Sequence, residues 1–224
     1  MSLIKVLAFL LLISLTFQKC KYHPSRIHWV FALDKSGSMS WNNPTRWTTL
    51  KRLLNNKNRL MDQIDHTSDF VSAYTFNSNP SPNIIYHYNI PSFPNGWNLP
   101  LGGSPSGGTN FAKALQRASS IIFSRRFEST CFVFVSDGEA SYPSAQVTAL
   151  RNLLASIRRR GCRTCVECYF IQYKYGAKIP KNYRRLCNGL SAKITYAPPD
   201  QFESVITKRF ATAVAQIKSP TLND

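Results

Sequence analysis

Short apolar runs rich in β-branched and aromatic residues alternate along this chain with segments whose apolar residues recur every three or four positions. The runs His28–Leu33, Asp69–Phe76, Ile84–Tyr88, Thr130–Val135, Val166–Tyr173 and Ala192–Ala197 read as strands. Between them, helical spacing appears at Leu50, Leu53, Leu54, Leu60, Met61 and Ile64, and again at Phe111, Leu115, Ala118, Ile121 and Ile122. It recurs at Val147, Leu150, Leu154 and Ile157 behind Pro143, over Lys181–Cys187, and at Phe202, Val205, Ile206, Phe210, Val214 and Ile217. This alternation predicts an α/β fold: a doubly wound, mostly parallel six-stranded sheet with helices on both faces. Such a sheet binds ligands beyond the carboxyl ends of its strands, so the loops that leave a strand and enter a helix are where chemistry is expected.

Three of those loops carry oxygen donors. In "DKSGSM" the first strand stops on Asp34 and is followed by Ser36 and Ser38; "SGGTNF" presents Thr109 behind Gly107 and Gly108; "SDGE" ends a strand on Asp137. Singly, each has an ordinary structural reading as helix N-cap or turn residue. Together, two carboxylates and three hydroxyls form a hard-oxygen set suited to Mg²⁺ or Mn²⁺, which sheds water reluctantly and takes some ligands through water. Phosphate-loop chemistry lacks its lysine, no Gly-x-Ser-x-Gly elbow occurs, and none of His23, His28, His66 and His87 follows a strand into these loops. No enzymatic activity is expected.

At these residues the chain resembles the von Willebrand factor type A domain, a Rossmann-like fold, and its metal-ion-dependent adhesion site. The family's Asp-x-Ser-x-Ser loop, later Thr and third-loop Asp are matched in order by Asp34, Ser36, Ser38, Thr109 and Asp137, and the likeness runs over about residues 27–218. The resemblance implies that Ser36 and Ser38 bind the cation directly, Thr109 directly or through water, and Asp34 and Asp137 largely through water. It also implies that an acidic side chain of a partner protein completes the coordination. The "QYKYGAK" segment departs from the family's more Gly-rich ending and leaves the ligand-facing rim open.

Residues 1–19 read as a secretory signal peptide, with Lys5, an apolar stretch from Val6 to Leu15, and cleavage between 16 and 20; residues 20–224 then form one domain. Ten apolar residues are too few for a membrane span, which takes roughly 20. In an exported protein Cys20, Cys131, Cys162, Cys165, Cys168 and Cys187 are expected to pair as disulfides. The alternative, a zinc half-site in "CRTCVEC" with Cys187 as fourth ligand, suits a reducing compartment better and lacks the usual second pair. All six are expected near the strands' amino ends, the pole opposite the oxygen loops.

Lys and Arg outnumber Asp and Glu by 28 to 11, for a net charge of +17. Arg158–Arg160 and Arg163 fall at helix ends, where cations complement the helix dipole. Lys174, Lys178 and Lys181 follow the fifth strand and are candidates for a ligand-facing rim. Two functions result. One is secreted, metal-dependent adhesion to a protein ligand presenting Asp or Glu. The other is charge-driven binding to a polyanion or anionic surface with a merely structural metal; sequence-specific nucleic-acid recognition is not expected.

Overall fold

A computed structural model describes residues 26–41, 45–55, 63–64, 68–81, 84–86, 103–124, 129–172 and 174–219. The expected leader, its cleavage site, Cys20 and the expected helical residues Leu60 and Met61 lie outside them. The strands are β1 (Ile27–Asp34), β2 (Phe70–Phe76), β3 (Ile84–Tyr86), β4 (Ser129–Ser136), β5 (Thr164–Phe170) and β6 (Ile194–Tyr196). The α-helices among the described residues are α1 (Arg46–Asn55), α2 (Phe111–Ser124), α3 (Ser144–Arg158), α4 (Lys181–Gly189) and α5 (Phe202–Lys218). They form one sheet of order β3-β2-β1-β4-β5-β6, with β3 antiparallel at the edge and every other pair parallel. The order reverses between β1 and β4, the crevice where such sheets take their ligands.

The strand sequences explain the layering. All eight residues of β1 are buried, because successive side chains point to opposite faces and both faces are covered. Trp29, Phe31 and Leu33 pack with Leu50 and Leu53 of α1 and Phe210 of α5, the Trp29 and Phe210 ring centres 4.9 Å apart. Val30 and Ala32 face the other layer with Phe132 and Phe134 of β4, Phe111 and Leu115 of α2, Leu150 of α3 and Tyr183 of α4. Each face thus has its own core.

A buried carboxylate ties the amino end of this sheet together. Asp69, just before β2, accepts the backbone N–H of Ile27 at 3.0 Å and the indole N–H of Trp29 at 2.9 Å, and pairs with Lys218 at the end of α5 at 3.3 Å. Burial pushes its carboxyl above the ordinary range, against the bond from Trp29 and the charge of Lys218. Nearby, Arg163 donates to the carbonyl of Ile217 at 3.2 Å, the helix-end role expected of a cation there.

The described cysteines are oxidised. Cys131 bridges to Cys165, its direct register partner on β5, and Cys168 bridges to Cys187 of α4. Cys162 is also in a disulfide, and none of the described cysteines is free. The expectation that all cysteines crowd at the strands' amino ends needs correcting: Cys168 is level with the first residue of β6 and clamps the sheet to α4 at mid-height. The reason is register, since β5 begins before β6 and its fifth residue already lies within the core.

Non-reducing peptide mapping is expected to return Cys131–Cys165 and Cys168–Cys187 cross-links. By loop length each bridge stabilises the fold by about 3–4 kcal/mol, so full reduction should lower the urea midpoint sharply. Asp69→Ala should cost about 3 kcal/mol in the same measurement, because two buried donors lose their acceptor.

Candidate functional site

At the order-reversal crevice, β1 ends on Asp34 and β4 on Ser136, brought level by a register that pairs Leu33 with Val135. Asp34 is fully buried and uses both oxygens. Oδ2 accepts the Ser136 hydroxyl at 2.6 Å across the two strands, and Oδ1 accepts the Ser36 N–H at 2.8 Å, which turns the chain out of the strand. Burial pushes the Asp34 carboxyl upward, opposed by the bonds from Ser136 and Ser36 and by the charge of Arg46.

Beyond Ser36 the chain makes one 3₁₀ turn over Gly37–Ser40, anchored by the buried Met39. The turn sets the Ser36 and Ser38 hydroxyls side by side, 3.1 Å apart, and the Ser38 hydroxyl donates to Asp137 Oδ1 at 3.0 Å. Asp137, just past β4, is only 6 % exposed.

Thr109 comes from a segment with no regular structure of its own, held by neighbouring loops. Ser106 N–H donates to the Lys35 carbonyl at 3.0 Å, and Gly37 N–H returns a bond to the Gly107 carbonyl at 2.9 Å. Gly107 has φ +73°, a conformation few side chains tolerate. On the other flank Asn77 donates from its amide to the Ser106 carbonyl at 3.0 Å, accepts Asn110 N–H on its carbonyl at 2.9 Å, and is followed by Ser78, whose hydroxyl accepts Gly108 N–H at 3.0 Å. Three loops are thus laced into one rim, and Thr109 is carried to the crevice.

The convergence is measurable at Gly138. A methyl group added to its α-carbon would lie 3.3 Å from Thr109 Oγ1, 3.6 Å from Asp34 Oδ2 and 3.6 Å from Ser38 Oγ. Oxygens from two separate loops therefore meet over the bare α-carbon of a third. Asp34, Ser36, Ser38, Thr109 and Asp137, the five residues singled out from sequence, are brought together here. Their oxygens are the donor type that a hard divalent cation takes, so the residues fit such an ion.

Three further participants were not anticipated. Ser136 orients Asp34 and also accepts the Gly138 N–H at 3.1 Å; its place directly before Asp137 was the available signal. Asn77 laces the rim and resembles any turn residue in the sequence. Arg46, the first residue of α1, is 4 % exposed, forms an ion pair with Asp137 Oδ2 and donates to the Ser38 carbonyl at 3.1 Å. Its guanidinium also lies 5.7 Å from the ring centre of Trp41, which is 62 % exposed beside the site. Nothing in its sequence position separates it from a surface helix residue.

Lys174, Lys178 and Lys181 are exposed on the carboxyl side of β5. Asn182, beside Lys181, donates to the Ala140 carbonyl at 2.7 Å and so ties the start of α4 to the loop that carries Asp137. His28 is buried, its Nε2 2.8 Å from the Ser72 hydroxyl, a packing role far from the oxygen loops. The zinc alternative for "CRTCVEC" fails, since Cys165 and Cys168 are consumed in disulfides and no group of three His, Cys, Asp or Glu gathers among the described residues.

No curated protein matches the chain. Among solved structures, a von Willebrand factor type A protein from Catenulispora acidiphila aligns at TM-score 0.57 and 16 % identity, over 87 % of this chain and 43 % of its own. The PilB minor pilin from Streptococcus sanguinis aligns at 0.59 and 14 % identity, over 87 % and 61 %. The pilus adhesin SpaC from Lactobacillus rhamnosus GG aligns at 0.55 and 11 % identity, over 89 % and 31 %. The chain thus spans about half the length of the first two, and identities this low speak to fold alone. Residues 29–139 match the family model described as the von Willebrand factor type A domain, a span that runs from β1 through the third oxygen loop and includes all five donors. The chain carries a von Willebrand factor type A domain.

Proposed function

We propose that this chain is a secreted binding module that holds Mg²⁺ or Mn²⁺ between Asp34, Ser36, Ser38, Thr109 and Asp137 and, through it, binds an acidic side chain of a partner protein. The observation that carries this reading is the meeting of Thr109, Asp34 and Ser38 oxygens around the bare α-carbon of Gly138. In this reading the Ser36 and Ser38 hydroxyls hold the cation directly, Thr109 directly or through water, and the two carboxylates mainly through water. The cation supplies an electrophilic position that a carboxylate from outside can fill.

The chain's own residues prepare that position. Ser136 and the Ser36 N–H hold Asp34 in one orientation, and the laced loops hold Thr109, so little ordering remains when a cation arrives. Lys174, Lys178 and Lys181 form a cationic flank that steers an acidic ligand toward the site. Disulfides agree with an oxidising, extracellular setting. The pilin and adhesin named above share only the fold, and nothing of their binding is carried over.

The net charge of +17 favours a second reading, charge-driven binding to a polyanion or anionic surface. Chelation and salt separate the two. Binding to an acidic protein ligand should vanish in EDTA and change little with salt, whereas polyanion binding should survive EDTA and weaken steeply as salt rises.

The first reading predicts that Mg²⁺ or Mn²⁺ at 100 times its dissociation constant stabilises the protein by about 2.7 kcal/mol, a rise in Tm of roughly 5–10 °C over the EDTA value. Asp34→Ala should abolish the rise. Gly138→Ala should weaken cation binding at least about tenfold by calorimetry while leaving stability in EDTA within about 1 kcal/mol, since its methyl group meets oxygens and not the core. Ser136→Ala should cost about 1–2 kcal/mol even in EDTA, because Asp34 and the Gly138 N–H both lose their partner.

A further inference from the structure

Arg46 stands out because it already does part of what a metal ion would do. The crevice holds two buried carboxylates, Asp34 and Asp137, and burying uncompensated charge is costly. The Arg46 guanidinium, charged at every working pH, is inserted from the first residue of α1 and divides its contacts between Asp137 Oδ2 and the Ser38 carbonyl. Its charge is also felt at Asp34. No comparable cation pairs with either carboxylate among the described residues.

Resting on the metal-dependent reading above, we infer that Arg46 is a tethered counter-ion that competes with the divalent cation and couples its binding to that of the acidic ligand. A divalent cation alone would balance the two carboxylates. With the guanidinium in place, the loaded crevice carries one positive charge in excess, inside a site largely shut off from water. That excess weakens cation binding on its own, and an incoming carboxylate removes it. The cation and the acidic ligand therefore raise each other's affinity, and by linkage the factor is the same in both directions. The metal-free protein, meanwhile, keeps a folded crevice because Arg46 offsets part of its charge.

The test is calorimetric titration of Mn²⁺ into metal-stripped wild type and Arg46→Gln, each with and without acetate as the carboxylate probe, beside thermal unfolding in EDTA. The inference expects Arg46→Gln to bind Mn²⁺ at least tenfold more tightly without acetate, to gain less from acetate than wild type does, and to melt lower in EDTA. Mn²⁺ binding by the variant alone, with none by wild type even in acetate, would overturn the coupling and with it the metal-dependent reading of the native protein. Equal Mn²⁺ affinity in the two would overturn the inference and leave that reading standing; absence of binding in both would overturn the two together. Should Arg46→Gln fail to fold in EDTA, its thermal unfolding in rising Mn²⁺ decides: a larger Mn²⁺-dependent rise in Tm than in wild type is expected, and an equal or smaller rise overturns the inference.

Discussion

Two carboxylates are buried at the tips of adjacent strands, where hydration is poor and each needs a donor or a cation, and the carboxyl-end rim of this molecule is organised around that need. The parallel register of β1 and β4 fixes how close Asp34 and Asp137 come, because Asp34 ends one strand and Asp137 follows the other. The groups that bond or pair with them are donors and a cation: the Ser136 and Ser38 hydroxyls, the Ser36 N–H and the Arg46 guanidinium. Hydrogen bonds to a charged acceptor are worth roughly 1.5–3 kcal/mol, which is the scale needed to offset partial desolvation of a carboxylate. Even so, burial prevails at Asp34, whose carboxyl is held above its ordinary range.

The loops around the carboxylates are irregular but not loose. Their backbone groups are paired with one another where a helix or strand would pair its own, as in the reciprocal bonds of the 35–37 and 106–107 segments. This answers why small residues dominate there. Gly107 accepts a left-handed backbone, and a side chain on Gly37 would meet the Gly107 carbonyl at 3.3 Å, so the close approach of the two segments is eased by the missing β-carbon of Gly37. Gly138 has a different role, keeping open the space its neighbours' oxygens face.

Much of this was legible in the sequence, for a physical reason. The strand–helix alternation announces a two-faced parallel sheet because fully buried strands must be apolar on both sides, as β1 and β4 are. Four of the five oxygen-bearing residues stood out because they lie at or just past the ends of β1 and β4, where polar side chains interrupt strong hydrophobic runs, and Thr109 stood out behind two glycines at the start of a helix. What could not be read was pairing at a distance. Arg46 finds Asp137 across 91 positions only after α1 has docked, and Asp69 is an ordinary loop carboxylate until β1 and α5 meet it. The mid-height bridge from Cys168 to Cys187 escaped for the same reason: strand offsets, not spacing in the chain, decide how high a cysteine sits.

The two ends of the sheet are held by different kinds of force. Toward the amino ends and through the middle, covalent bridges, the Asp69 cluster and aromatic packing fix β1, β4, β5, α4 and α5. At the carboxyl ends the described rim is held by hydrogen bonds and the Arg46–Asp137 ion pair, interactions that exchange with water and ions far more readily than a disulfide or an apolar core does. Trp41 lies on this labile side, largely exposed and resting against the guanidinium that pairs with Asp137. A change in charge inside the crevice would therefore act first on the hydrogen bonds of the rim, because the bridges and packing that hold the body carry no charge.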